Sequence, residues 1–468
     1  MTINKTHLWC LVGFALILRL LSLTMYPLMD TTEARYGEMA RLMVETGDWL
    51  TPQFDYGVPF WGKPPLFAWM SAYGIECFGL SEFAVRAPHW LAGLLTIGLA
   101  AFMTYRAGFS PLITSLVLAT CGIFAIASGA VMTDMALTFS LSIAMLGFYY
   151  CWLGTSRYSL LWGYASFMGL ACGLLAKGPV ALVIMGVAVF PWLVSQHGFL
   201  AAFAVLWRRF PLISGGTLML ALSCPWYILA EIATPGFMDY FLVGEHFKRF
   251  VVSGWQGDLY GSAHDEVRGT IWLFWLQSAA PWSFVLPVLA WKRRQVFREI
   301  NTKHKGLSSF LLCWLMAPMV LFTMAGNILP AYVLPGIPAL GILVALLVNQ
   351  RDFRWLSVTA SIVPVLLVIA LLVLNLGKAD SRSDRVIFEK IASDDPVFYI
   401  NKRPFSGQFY SRGQAQKLEQ TEELEALARF YLIGQEQVVA PLIAKQSLTC
   451  SKQFTANSRR SLYYCAEE

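Results

Sequence analysis

The chain has 468 residues, 57% of them hydrophobic and only 14% charged, and a mean hydropathy of +0.55, well above that of a water-soluble domain. The apolar residues come in runs of bilayer-spanning length, so this is a polytopic membrane protein. The formal net charge of +6 does not indicate a nucleic-acid partner, because most of the basic residues fall in short loops where membrane topology already requires them.

The first apolar run, Leu8 to Met25, has a weak basic flank and no small-residue cleavage pattern, and is expected to be a retained span rather than a removable signal. No lipidation motif is visible. Apolar runs and their breakers predict about eleven spans, near 8–26, 87–106, 111–127, 135–153, 160–176, 179–195, 212–231, 271–291, 307–325, 331–349 and 356–376. Alternate loops hold Lys5, Arg106, Arg157, Arg208 with Arg209, the run Lys292-Arg293-Arg294 with Arg298, Lys303 and Lys305, and Arg351 with Arg354. Those loops belong on the cytoplasmic side. The loops 27–86 and 232–270, the turns at Asp134 and Lys177 and the tail from 377 then share the opposite face. The expected organisation is a transmembrane domain over 1–376 and a small α/β domain over 377–468.

The long first loop opens Met29-Asp30-Thr31-Thr32-Glu33-Ala34-Arg35-Tyr36-Gly37-Glu38 and later reads Trp61-Gly62-Lys63-Pro64-Pro65. From Glu33 to Glu45, Tyr36, Met39, Ala40 and Met43 recur at helical spacing while Glu38, Arg41 and Glu45 turn away, which predicts a short amphipathic helix in the interface. Asp30 followed by Glu33 fits a capping box, in which both carboxylates bind backbone N–H groups and do no chemistry. A catalytic role for either one is the alternative. Further on, Asp134 opens a span and Lys177 closes one; the first suits a cap equally well, and the second suits snorkelling to the headgroups. In Gly244-Glu245-His246-Phe247-Lys248-Arg249, the i,i+4 spacing of Glu245 and Arg249 fits a plain surface ion pair, and a lone His246 is more often structural than a ligand. Arg19 is the one charge well inside a predicted span, and it too is placed to snorkel.

The tail mixes strand-like runs, Val397 to Ile400 and Arg429 to Ile433, with an acidic run from Glu419 to Ala428 expected to be helical. Cys450 and Cys465 lie there, on the face expected to be oxidising, so a disulfide between them is open; the thiols in or beside spans read as packing residues, and Cys77 is the odd one on the outer side. No C-x-x-C or H-E-x-x-H metal pattern and no internal repeat is present.

Each polar signal is weak alone, but they converge. Moving a sugar from a lipid phosphate needs cations for the leaving phosphate, a carboxylate for the acceptor's proton, and a seat at the bilayer edge. Lys63, Lys177 and Arg249 meet the first need; Asp30, Glu33 and Asp134 meet the second. These same segments resemble the family 39 glycosyltransferases: Glu33-x-Arg35-Tyr36, Gly47-Asp48-Trp49, Lys63-Pro64, Asp134 at a span start, Lys177-Gly178, Glu245-His246-x-x-Arg249-Phe250 and Leu329-Pro330-Ala331-Tyr332-Val333-Leu334-Pro335. Within that family the chain is most similar to the bacterial branch of aminoarabinose transferases that modify lipid A. The resemblance runs in order from the first span through the tenth.

It implies an inverting, integral-membrane transferase of C-type glycosyltransferase architecture, in a bacterial inner membrane with its site facing the periplasm. Its donor would be a polyprenyl-phosphate-linked sugar, and its acceptor lipid A, another envelope glycan or a protein. It places Lys63, Lys177 and Arg249 at phosphate-contacting positions and Asp134 at an acidic site, with Arg35, Tyr36, Glu245 and His246 as further substrate or metal contacts. The chain departs from the pattern at three places. Thr32 stands where an acid usually precedes Glu33, leaving the catalytic carboxylate open between Asp30 and Glu33, with joint participation and Asp30 as base the expectation. Gly62 replaces a glutamate that partners the later histidine at a metal, so a divalent metal is left open. Asn327 stands where relatives carry a lysine. A lipid-linked-sugar flippase lacks the mid-membrane charges and paired interrupted helices it would need; a polymer ligase or oligosaccharide transferase would use a diphosphate donor.

Overall fold

The computed structural model describes the chain except residues 1–4, 155–156, 253–254, 262–265, 350–352, 421–423, 425–426, 446–447, 457–459 and 467–468. Arg351 and much of the acidic run after Glu419 therefore lie outside the described residues.

Among the described residues, eight helices are long and apolar enough to cross a bilayer: Lys5–Ser22, Glu82–Arg106, Thr133–Leu153, Ser159–Lys177, Val180–His197, Leu212–Ala233, Pro330–Leu347 and Arg354–Ser381. Two bent pairs raise this to ten if each is one span: Thr270–Ser278 with Trp282–Lys292, at 97°, and Arg294–Lys303 with Leu307–Phe322, at 110°. The remaining predicted run, 111–127, is not one helix but two, Pro111–Ala119 and Gly122–Ala127. The second ends at Ala127, and the last carbonyls of a helix that stops within a bilayer need a donor that lipid cannot supply. Arg19 is such a donor: its Nε donates to Ala125 O at 2.7 Å and its Nη2 to Ile126 O at 3.0 Å. The side chain is 5% exposed, so the snorkelling expected of Arg19 gives way to a buried brace.

Small residues set a close contact between two of the spans. A Cβ at Gly147 would lie 2.6 Å from Ser166 N, and one at Gly169 would lie 2.6 Å from Ser140 O, so the helices Thr133–Leu153 and Ser159–Lys177 touch backbone to backbone. Side chains such as Leu220, Leu222, Ile228 and Ile232 point outward, as lipid-facing residues must.

The first loop folds as a helix, Thr32–Thr46, a two-stranded ribbon, Gln53–Asp55 with Val58–Pro59, and a second helix, Leu66–Phe78. The first helix buries Tyr36, Met39, Ala40 and Met43 as its spacing predicts, but it does not lie in the interface with a wet outer face. Glu38 and Arg41 are buried as well, with Arg41 Nε and Nη2 donating to the two Glu38 oxygens at 2.8 and 2.7 Å. The reason is cover from the C-terminal domain, whose Phe409 ring packs beside Gly37.

That domain is a five-stranded sheet in the order 416–417, 397–399, 429–435, 460–466, 450–455, parallel across its first three strands and antiparallel across the rest. Alternate residues bury two clusters on its two faces, Val397, Tyr399, Tyr431 and Ile433 on one and Phe398, Phe430 and Leu432 on the other, the period of two that strands impose. Cys450 and Cys465 face each other in register on the last two strands and form a disulfide.

Candidate active site

Two cavities meet where the first loop, the 232–270 loop and the spans converge. The inner one, about 300 Å³, has apolar walls of Val180, Val183, Phe250, Leu321 and Phe322. The outer one, about 580 Å³, is walled by polar residues including Arg35, Asp55, Asp134, Asp258, Lys402 and Arg403. They share Lys63, Lys177, Glu245, Arg249 and Tyr332. A group bound at this junction therefore touches three cations, with a greasy space on one side and a wet one on the other.

Local folding explains why these charges are held. Glu245 lies in the π-helical turn Asp239–Lys248 and receives Lys63 Nζ at 2.7 Å and Arg249 Nη1 at 3.0 Å. Burial alone would raise the Glu245 pKa, but Lys63 and Arg249 hold it down at about 2. Burial acts the other way on Lys63, and the Glu245 charge overrides it and raises its pKa. Both cations therefore stay charged in a site largely closed to water. Arg249 also reaches Asp258 at 3.3 Å. Lys177, the last residue of its helix, meets Asp134 at 2.5 Å and lies 4.2 Å from the Tyr332 ring centroid, so the aromatic face adds to its anchoring.

The acidic opening of the first loop goes elsewhere. Asp30 caps no helix: the helix begins after Thr31 without a side-chain cap, and Asp30 accepts from Ser406 N at 3.1 Å and from its hydroxyl. Burial raises the Asp30 pKa despite those two bonds. Glu33 takes a two-point contact from Arg86 at 2.8 Å on each oxygen. The outer cavity is lined not by these carboxylates but by Thr31 and Thr32. The capping-box expectation thus fails for Asp30, because the C-terminal domain offers Ser406 as a better donor than the helix end.

Arg35 and Tyr36 do line the outer cavity. Arg35 donates to Tyr260 O at 2.6 Å and lies over the Tyr36 and Phe60 rings. His246 lies in the inner wall, but its Nδ1 is 2.8 Å from Phe241 O and its Nε2 is 3.1 Å from Lys177 O. Both ring nitrogens face backbone carbonyls, and whichever carries the proton donates to one of them, which is the structural role the isolated histidine suggested. Gly62 brings no ligand, and a Cβ there would meet the Phe60 ring at 2.7 Å. Among the described residues no group of three His, Cys, Asp or Glu side chains is arranged to hold a metal, and with Gly62 at the position before Lys63 there is no carboxylate to join His246 in the metal pair left open by the sequence. Asn327 donates to Arg249 O at 2.7 Å and to Val252 O at 3.1 Å, so it braces the loop that carries Arg249.

Sequence reasoning passed over Asp258, Tyr260, Lys402 and Arg403, and quoted Tyr332 without giving it a role. Arg403 holds Asp55 with 2.7 Å contacts to both oxygens, across 348 residues of chain. No spacing rule reaches that far.

A family model described as dolichyl-phosphate-mannose-protein mannosyltransferase matches residues 9–241. The chain is 30% identical to an undecaprenyl phosphate-alpha-4-amino-4-deoxy-L-arabinose arabinosyl transferase of Aeromonas hydrophila, over 74% of this chain and 60% of that protein. It is also 30% identical to the protein of the same name from Erwinia tasmaniensis, over 70% of this chain and 56% of that one. The chain thus spans about three fifths of the length of the curated relatives it matches. The crystal structure of ArnT from Cupriavidus metallidurans bound to undecaprenyl phosphate superposes with a TM-score of 0.77 at 20% identity, covering 99% of this chain and 98% of that one. At that identity the likeness establishes the fold.

Proposed function

Because the chain belongs to the dolichyl-phosphate-mannose-protein mannosyltransferase family, the family 39 glycosyltransferases, we propose that it is an inverting transferase that moves a sugar from a polyprenyl-phosphate donor to an envelope acceptor. The observation that carries this is the pair of joined cavities with Lys63, Lys177 and Arg249 at the junction. The polyprenyl chain takes the inner, apolar cavity, its phosphate takes the junction, and the sugar projects into the outer cavity. An acceptor oxygen attacks the anomeric carbon as its bond to the phosphate breaks. The charge that develops on the phosphate is met by cations already fixed in place by Glu245, Asp134 and Asp258, so little reorganisation accompanies the reaction.

The outer cavity favours an anionic acceptor. Its cations Lys63, Arg249, Lys177 and Arg403 are matched by Glu245, Asp258, Asp134 and Asp55. Arg35 and Lys402 line the same space without a carboxylate partner among the described residues, and an acceptor phosphate such as that of lipid A would supply the missing charge. A phosphate acceptor is already ionised and requires no base, which suits a wall carrying Thr32 where relatives have an acid. For a hydroxyl acceptor on a glycan or protein, Asp134 is the carboxylate in the cavity that would take the proton; Asp30 and Glu33 act by holding the loop. We infer that this chemistry faces the periplasm, because the short basic loops between spans lie at the other end.

The test is transfer by the purified protein, reconstituted with a polyprenyl-phosphate sugar and lipid A and followed by mass spectrometry. Alanine at Lys63, Lys177 or Arg249 is expected to lower kcat/KM by the roughly 2–4 kcal/mol that a lost charge-stabilising donor costs. Near-normal transfer by all three well-folded variants would overturn the assignment.

A further inference from the structure

A third cavity, about 180 Å³, lies at the other end of the transmembrane domain. The helix Thr133–Leu153 links the two ends: Asp134 lines the reaction cavity and Tyr149 and Tyr150 line this one. Sixteen residues of helix at 1.5 Å each separate Asp134 from Tyr150 by about 24 Å, close to the thickness of a bilayer's hydrocarbon core. The cavity therefore lies at the headgroup level of the opposite leaflet.

Its chemistry is one-sided. Arg106, Lys303 and Lys305 line it with His304, and no carboxylate is among the lining residues. None of the three cations has a carboxylate partner among the described residues. Arg106, the last residue of Glu82–Arg106, lies 5.8 Å from the ring centroids of both Phe102 and Tyr150, contacts that leave its N–H groups open to a ligand. The Tyr149 hydroxyl donates to His304 O at 2.6 Å and ties the turn carrying the two lysines to the same helix. That turn joins the helix Arg294–Lys303, bent 110° from Leu307–Phe322, so the basic residues ride at the end of an interfacial helix. Positive loop charge alone would orient the protein and needs no cavity; here the cations and aromatic rings enclose one.

We propose that this pocket binds the phosphate group of an anionic phospholipid of the inner leaflet, with Arg106, Lys303 and Lys305 on the phosphate and the acyl chains running along the exposed apolar surface of the helices. Basic pockets between helices on this side of a membrane take such headgroups. A free phosphate ester has the same charge, so the experiment must separate the two sources.

Native mass spectrometry of the detergent-purified chain, titrated with phosphatidylglycerol, phosphatidylcholine or inorganic phosphate, reads this directly. Phosphatidylglycerol is expected to give one saturable adduct that phosphatidylcholine does not displace. Arg106→Gln, Lys303→Gln and Lys305→Gln are each expected to weaken it roughly fivefold, and the triple variant more. Arg298→Gln removes a charge of the same helix outside the cavity and is expected to change nothing. Both lysines are exposed, so their removal leaves packing intact and keeps the test valid if Arg106→Gln misfolds. Unaltered phosphatidylglycerol binding by Lys303→Gln/Lys305→Gln, or equal binding of phosphatidylcholine, overturns the proposal. Displacement of the lipid by millimolar inorganic phosphate would also overturn it and assign the pocket to a soluble phosphate ester.

Discussion

At the scale of single residues, the carboxylates divide by what surrounds them. Asp134 faces the cavity and pairs with Lys177, whereas Asp30 is turned toward Ser406 and Glu33 toward Arg86. Asp134→Asn removes the charge that positions Lys177 and the carboxylate proposed to take the proton of a hydroxyl acceptor. Transfer is expected to fall at least a hundredfold while the protein still elutes as a folded species. Asp30→Asn keeps an oxygen for the Ser406 amide and is expected to retain most activity. Loss of turnover in well-folded Asp30→Asn, with Asp134→Asn near wild type, would return the proton-accepting role to the first loop. The cations Lys63, Lys177 and Arg249 that meet at the cavity junction were legible in the sequence, since Lys63 precedes a proline, Lys177 a glycine, and Arg249 follows Glu245 by four residues. Their counterions were legible only in part: the spacing of Glu245 and Arg249 showed one pair, but Asp258 lies in a loop without periodicity, and only the folded chain shows that it faces Arg249.

At the scale of elements, the helix Thr32–Thr46 is positioned by one buried contact. Arg86 is fully buried and gives Glu33 two hydrogen bonds while also donating to the carbonyls of Leu23, Tyr26 and Pro27 at 2.8–3.0 Å. It thus ties the end of the first span, the start of the loop helix and the span Glu82–Arg106 together. Arg86→Ala leaves Glu33 and three carbonyls without their donor and is expected to destabilise the fold by about 3–5 kcal/mol, the usual cost of breaking a buried pair. Arg86→Lys keeps the charge but lacks the planar fork, so it is expected to fall between alanine and wild type. Thermal unfolding in detergent measures both; a midpoint unchanged in Arg86→Ala would show that the helix is held by its apolar face alone. That apolar face was plain from the spacing of Tyr36, Met39, Ala40 and Met43. The burial of Glu38 and Arg41 was not, since it depends on a domain more than 350 residues away in the chain.

At the scale of the whole molecule, apolar runs located the spans, but runs cannot show where a helix bends or breaks. The strands after residue 396 were visible as β-branched and aromatic runs, while their pairing order and their place over the site were not. Orientation is open to cysteine labelling in a background freed of the exposed thiols Cys10, Cys77 and Cys172. Val58→Cys and Lys390→Cys are expected to react with an impermeant reagent in intact cells, and Thr302→Cys only after permeabilisation; the reverse pattern would put the reaction cavity on the wrong side of the membrane.

The C-terminal domain is more than a lid on this face, because Arg403 holds Asp55 of the first loop while Lys402 beside it lines the outer cavity. Arg403→Glu sets two carboxylates against each other there and is expected to lower transfer by at least tenfold, mainly through a higher KM for the acceptor, since the donor clamp is untouched. Adding Asp55→Arg restores the pair with its charges exchanged and is expected to recover much of the loss. Near-normal acceptor KM in Arg403→Glu, or a double variant no better than the single, would show that the domain covers the site without shaping where the acceptor binds.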